Sequence, residues 1–258
     1  MSEQWEFYPS RVDDQSASIY VNLSYRGGAP LVNAHDLAWL RVYFRHPRDD
    51  GLSSQEEFQT LCDIEDAIVD ALANGNFIAH YVGRNTSGGC RDFYIYSDNG
   101  QTVSDVLSQA MVPFTDYQFD TDHRHEPDWS AYRDFLCPSP RDMQLIQNQH
   151  VIESLQESND QLDILRNVSH WAYFTDASAR KKFVSESHAI GFALHHEIDP
   201  DAKSNKWGAV VTREHAVDYS SLAEVTLALY DIATELGGDY DGWETPVISE
   251  ANQALPPK

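Results

Sequence analysis

Trp171-Ala172-Tyr173-Phe174-Thr175-Asp176 is the run that decides the fold of the second half of this 258-residue chain. Its first four residues read as a strand, because aromatic side chains suit a pleated, half-buried surface. Thr175 or Asp176 then offers an oxygen to cap the free amides of a helix reaching about Ala189, with Ala179, Phe183 and Ile190 on one side. Gly191 ends that helix. Phe192, Leu194, His196 and Ile198 alternate along a second strand, and Asp199-Pro200-Asp201 turns the chain. Trp207, Ala209 and Val211 alternate along a third. Asp218 opens the most regular helix, whose Leu222, Val225, Leu229, Ile232 and Leu236 recur every three or four residues until Gly237-Gly238. Tyr240 to Ile248 supplies a last, interrupted strand. The order β-α-β-β-α-β predicts an α+β ferredoxin-like sandwich, with right-handed crossovers placing both helices on one face of a four-stranded antiparallel sheet.

Towards the N-terminus, Cys137-Pro138-Ser139-Pro140 marks a boundary. Pro138 biases Cys137 away from helix, while Ser139 can cap a new helix with Pro140 at its first position. That helix, about Arg141 to Glu157, carries Met143, Ile146, His150 and Leu155 and is polar on most sides. The expected division is a domain over 1–138, a linker helix within 139–159, and the ferredoxin-like domain over 160–258. The first half reads as a separate α+β domain with a mainly antiparallel sheet. Trp5-Glu6-Phe7-Tyr8, Ala17 to Tyr25 and Leu37 to Phe44 are strand candidates. Ser53 and Ser54, with Glu56 and Glu57 three residues on, form a capping-box pattern before an apolar stripe from Phe58 through Leu61, Ile64 and Ile68 to Leu72. Phe77 to Arg84 and Arg91 to Ser97 read as a hairpin around Asn85-Thr86-Ser87-Gly88-Gly89-Cys90. A helix over Val103 to Ala110, a strand over Tyr117 to Asp120 and a short helix over Trp129 to Leu136 complete it.

The net charge of −23 divides between both halves. Residues 1–138 hold 9 Arg, no Lys and 22 acids, so 9 − 22 = −13; residues 139–258 hold 9 bases and 19 acids, so 9 − 19 = −10. Such a charge repels phosphate backbones and attracts basic protein segments, so no direct nucleic-acid binding is expected. The three cysteines, Cys62, Cys90 and Cys137, are odd in number and lack CxxC spacing, which suggests neither a disulfide framework nor a zinc site. No apolar run reaches membrane-spanning length and the first residues do not read as a signal peptide, so a cytoplasmic protein is expected.

Two resemblances follow from particular residues. Arg166-Asn167-Val168-Ser169-His170-Trp171-Ala172-Tyr173-Phe174, then Gly191-Phe192, then Gly237-Gly238-Asp239-Tyr240-Asp241-Gly242-Trp243-Glu244 occur in the order seen in the bacterial ribonuclease E activity regulator B family, which this region resembles. The resemblance implies a non-enzymatic regulator that binds the endonuclease ribonuclease E and modulates RNA decay. Residues 1–138 resemble a bacterial domain family of unknown function found in front of such regulators. Trp5-Glu6-Phe7-Tyr8, Asp50-Gly51-Leu52, Ile64-Glu65-Asp66, Val82-Gly83-Arg84-Asn85-Thr86 and Trp129-Ser130-Ala131-Tyr132 carry that likeness.

Partner-binding residues are expected at Trp171, Tyr173 and Trp207, as aromatics on one sheet, and at the acids Asp239, Asp241 and Glu244. The spacing of those three acids faintly resembles a calcium loop but lacks the ligands of one. Glu197, Asp199 and Asp201 read as a solvated turn, and neither His123-x-His125 nor His195-His196 has Cys or Glu beside it at ligand spacing. No catalytic residue, metal or cofactor is therefore expected. A second reading places an enzyme of unknown chemistry around Arg84 and Arg91, with glycine amides and two guanidiniums holding an anion and Cys90 acidified by Arg91. In that reading Arg84, Cys90 and Arg91 converge in a pocket; in the other they decorate a hairpin tip.

Overall fold

The computed structural model describes residues 3–201 and 204–249. It divides into two compact units between Pro138 and Ser139.

In the first unit, strands β1 (Trp5–Val12), β2 (Gln15–Asn22), β3 (Asp36–Tyr43), β4 (Ala79–Ser87), β5 (Cys90–Ser97) and β6 (Phe119–His125) form one sheet in the order β1-β2-β4-β5-β3-β6. Every neighbouring pair is antiparallel. Helices α1 (Phe58–Ala73) and α2 (Gly100–Ala110) cover one face. Leu61, Ile64 and Ile68 of α1 and Val103 and Leu107 of α2 meet Leu40, Val42, Phe93 and Ile95 there. The expected capping box at α1 does not form. Glu57 instead accepts the Arg45 and His46 amides at 2.8 and 3.0 Å, so its carboxylate ties a loop rather than closing the helix end. The β4–β5 turn is tighter than the six residues expected: only Gly88 and Gly89 separate the strands, at φ 57° and 80°, where a side chain would strain the backbone.

The other sheet face is sealed by the segment leading to Pro138, which includes one π-helical turn, Ala131–Leu136. Trp129 stacks on Tyr96 with ring centroids 4.1 Å apart, and its indole donates to the Ala34 carbonyl. Tyr132 and Tyr8 donate their hydroxyls to the carbonyls of Asn22 and Leu136. Buried Glu126 accepts from Tyr96, the Ala131 amide and Arg124. Burial opposes its charge, but these donors outweigh that cost and hold its carboxyl below the ordinary range.

The second unit opens with α3 (Pro140–Glu157), capped by Ser139 in a box with Asp142. Strands β7 (Arg166–Phe174), β8 (Ala193–Ile198), β9 (Trp207–His215) and β10 (Asp239–Glu244), with α4 (Ala177–Ala189) and α5 (Tyr219–Glu235), follow the expected order. The sheet runs β10-β7-β9-β8, all antiparallel, as a ferredoxin-like fold requires. Asp176 and Asp218 cap α4 and α5 by accepting two amides each. Phe183, Val225 and Leu229 from these helices pack on Ala172, Phe174, Ala209 and Val211. The helix expected as a linker is built into this unit. Its Ile152 and Leu155 pack with Val168, Val217 and Leu222, and Asn148 donates to Thr226 at 2.7 Å while accepting from the Trp243 indole at 2.9 Å. Residues 250–258 of the expected second domain lie outside the described residues.

One alternation breaks. A bulge between Leu194 and His196 shifts the phase of β8 by one residue. Leu194 lies opposite Val211 on the helix side, whereas His196 and Ile198 lie opposite Val210 and Gly208 on the other face. The even spacing expected across Phe192, Leu194, His196 and Ile198 therefore does not put all four on one side.

Candidate functional site

Residues paired across neighbouring strands share a face, so the register of the second sheet sorts the expected partner-binding residues. On β7, Val168, His170, Ala172 and Phe174 are buried, while Trp171 and Tyr173 alternate with them on the side that α4 and α5 leave uncovered. Tyr173 lies opposite Gly208 on one side and Asp239 on the other. Trp171 lies opposite Val210 and Gly242, and Ser169 opposite Thr212 and Glu244. Asp239 and Glu244 therefore flank the aromatic pair on the same face, and Asp241 occupies the bulge between Tyr240 and Gly242. All three acids are exposed, and Asp239 pairs with Lys206. Gly208 makes room for the Tyr173 ring: a Cβ there would come within 2.9 Å of it and 3.0 Å of Ile198.

Trp207 does not join this group. It lies opposite Phe174, on the helix side, and the Arg180 guanidinium of α4 sits 4.9 Å from its ring centroid. Arg180 also pairs with Glu197 at 2.8 Å and Asp199 at 2.9 Å. The turn expected to be simply solvated is thus clamped by a buried arginine that no local pattern announces.

In the first unit, Arg84 and Arg91 do converge, but on a protein carboxylate. Glu65 of α1 accepts from Arg84 Nε and the Tyr81 hydroxyl at 3.0 and 2.8 Å, and lies 3.9 Å from Arg91. Burial, then the neighbouring Arg84, lowers the Arg91 pKa to about 10 against the pull of Glu65. Cys90 is not with them. It donates to the Ser87 carbonyl at the turn, and burial together with Asp92 raises its thiol pKa, opposite to the acidified thiol an enzyme reading needs. Nor is the hairpin end free, since the Gly89 amide donates to Gly51 and its carbonyl accepts from Phe44.

Between α1 and the β2–β4 part of the sheet lies a cleft of about 550 Å³. Trp5, Tyr20 and Tyr81 give it an aromatic wall, and Glu3, Glu65, Asp66 and Arg84 its charges. The sequence hid this cleft because its residues come from separate stretches, chiefly β1, β2, α1 and β4, that only the fold brings together.

The second unit also holds a buried chain of polar groups that periodicity alone does not reveal. Tyr240 and His170 Nδ1 are 2.8 Å apart, His170 Nε2 and His215 Nε2 3.2 Å, and His215 Nδ1 and the Ala216 carbonyl 2.6 Å. One arrangement satisfies every group. Tyr240 donates to His170, His170 donates through Nε2–H to His215, and His215 donates through Nδ1–H to the carbonyl, with both rings neutral. Burial, then His215 and Arg213, lowers the His170 pKa to about 3, and burial lowers that of His215. The available signal was the apolar company of His170, between Val168 and Ala172 on the buried face of β7.

Among the described residues no three His, Cys, Asp or Glu side chains gather as metal ligands would, and no helix is long and apolar enough to cross a membrane.

Comparisons with known proteins follow the same division. No curated protein matches the chain. Among solved structures, an unknown protein from Galdieria sulphuraria is 14% identical over 83% of this chain and 99% of its own, with a TM-score of 0.24. A protein proposed to be a glycine cleavage system transcriptional repressor is 9% identical over 82% of this chain and 98% of its own, with a TM-score of 0.22. Residues 145–245 match the family described as Regulator of ribonuclease activity B, a family of regulators rather than of enzymes. Residues 3–137, more than half of the chain, match the Family of unknown function (DUF695). The chain belongs to that family of unknown function, and carries behind its defining domain a second one of the ribonuclease-regulator type.

Proposed function

We propose that this protein is a non-enzymatic cytoplasmic regulator that docks by direct contact on an RNA-degrading endonuclease of the ribonuclease E type, and that a basic segment of the endonuclease is what it grips. The observation that carries the reading is the face of the second sheet opposite α4 and α5, where Trp171 and Tyr173 are partly exposed. Trp171 and Tyr173 stand there side by side on the central strand β7, with Asp239 and Glu244 beside them on β10. Aromatic side chains next to a charged rim are the usual anchors of a protein interface, because ring burial supplies affinity while charge supplies approach and register. The match of residues 145–245 to a regulator of ribonuclease activity supplies the kind of partner. The net charge of −23 favours a basic segment of that partner over its RNA.

The test is partner affinity measured on the whole chain. Trp171→Ala is expected to cost on the order of 2 kcal/mol, roughly thirtyfold in Kd, and Asp241→Asn less than about 1 kcal/mol. Trp207→Ala, on the other side of the sheet, should leave affinity near wild type in any variant that folds. Unchanged binding by folded Trp171→Ala would remove the proposed face. Tight binding of single-stranded RNA by the isolated protein would remove regulation by protein contact altogether.

A further inference from the structure

We infer that the cleft of the first unit is a binding site for a basic peptide, which inserts an arginine or lysine side chain between α1 and the aromatic wall. The site lies in a different unit from the docking face proposed above and does not rest on it. Three observations carry it. The first is shape, since a cleft of about 550 Å³ opens beside Trp5, Tyr20 and Tyr81. Trp5 stacks on Tyr20 at 4.8 Å and lies 5.1 Å from Tyr81, so the rings form a continuous wall for the apolar stem of a long side chain.

The second is a precedent within the cleft itself. The Arg84 guanidinium sits 5.0 Å from the Tyr20 ring centroid and 2.9 Å from Glu65. The wall thus already holds one guanidinium by a ring face and a carboxylate, the two contacts a second cation would use.

The third is the sign of the remaining charge. Glu65 is engaged with Arg84, Arg91 and Tyr81, but among the described residues Asp66 has no ion pair and Glu3 accepts the Trp5 indole N–H alone. α1 carries Asp63, Glu65, Asp66 and Asp70 and no basic residue. His80 lines the same cleft, and burial lowers its pKa, so it adds no positive charge at neutral pH. An anion entering here would meet two uncompensated carboxylates, whereas a cation would pair with them.

The experiment titrates the whole protein with an N-acetylated, C-amidated tetra-arginine peptide at physiological salt, by calorimetry. Trp5→Ala alters the wall without altering charge. Asp66→Asn removes an exposed carboxylate whose loss does not threaten the fold. Each is expected to weaken binding at least fivefold. Asp105→Asn on α2, an acid outside the cleft, should stay within twofold of wild type. Three outcomes overturn the inference: no binding by the wild-type chain, equal binding by all folded variants, which signifies diffuse attraction to an acidic surface, or preferential binding of inorganic phosphate with loss on Arg84→Gln.

Discussion

At the scale of single residues, His170 has the most specific chemistry. It is fully buried, and in the neutral ring it donates to one neighbour and accepts from another. A second proton would sit on Nδ1 and reverse the hydrogen bond with Tyr240, whose buried hydroxyl would have to turn its own proton away from His170. Burial is the largest cost to an imidazolium here, His215 and Arg213 add like charge nearby, and Phe192 meets the ring edge-on. A histidine whose pKa falls to about 3 on folding keeps its full share of stability above the unfolded value of about 6.5 and loses it as pH drops towards 3. The second unit should therefore lose up to about 1.4 kcal/mol per pH unit from His170 as pH falls below about 6. Denaturant unfolding at pH 7, 6, 5 and 4 checks this, with His170→Gln as comparison. The variant should be less stable at pH 7 but fall less steeply. Parallel slopes in the two proteins would mean that His170 titrates in the folded state as it does in the unfolded one.

At the scale of elements, the helix α3 separates two views of where the second domain begins. Its surface is polar on most sides, and a polar helix after a Pro-Ser-Pro boundary reads as a connector. In the structure it is held by two apolar residues, Ile152 and Leu155, and by the Asn148 bridge from Thr226 to Trp243. We predict that residues 139–258 unfold cooperatively as an isolated fragment. Residues 160–258, which leave Val168 and Leu222 without their cover, should be less stable by several kcal/mol or fail to fold, since each buried aliphatic side chain contributes about 1.5–3 kcal/mol. Equal melting of the two fragments would restore the connector view. The same contrast explains what the sequence made legible. Asp218 with the stripe Leu222 to Leu236, and Asp176 with the strand before it, specify their elements locally, through caps and periodicity. The strand order β10-β7-β9-β8 then follows from element order and handedness. What escaped depends on partners distant in sequence. Glu57 looked like a helix cap but serves Arg45 and His46. Trp207 lies on the same sheet as Trp171, as expected, but register places it on the opposite face beside Arg180. The acids Glu197 and Asp199 are exposed, as a solvated turn requires, but nothing in their own stretch points to their pairing with buried Arg180.

At the scale of the whole molecule, charge dominates approach and aromatic burial dominates residence. The −23 net charge is shared by both halves, so any partner meets a negative field before it meets a specific face. Exposed charges act over a screening length that shrinks from about 10 Å at 0.1 M salt to about 3 Å at 1 M. Contacts made by Trp171 and Tyr173, and by the aromatic wall around Trp5, depend far less on salt, because what they remove from water is apolar area. We therefore predict a two-part salt dependence for binding to a basic endonuclease segment. The association rate should fall steeply between 0.05 and 0.5 M salt, as expected for steered encounter. The dissociation rate should change little with salt but rise in Trp171→Ala. Asp241→Asn should show the reverse pattern, with a slower association at low salt and wild-type behaviour at high salt. Stopped-flow measurements on the three proteins separate the two terms. If Trp171→Ala altered only the association rate, the open sheet face would be a site of encounter rather than of anchoring. The residence of the complex would then have to come from other contacts.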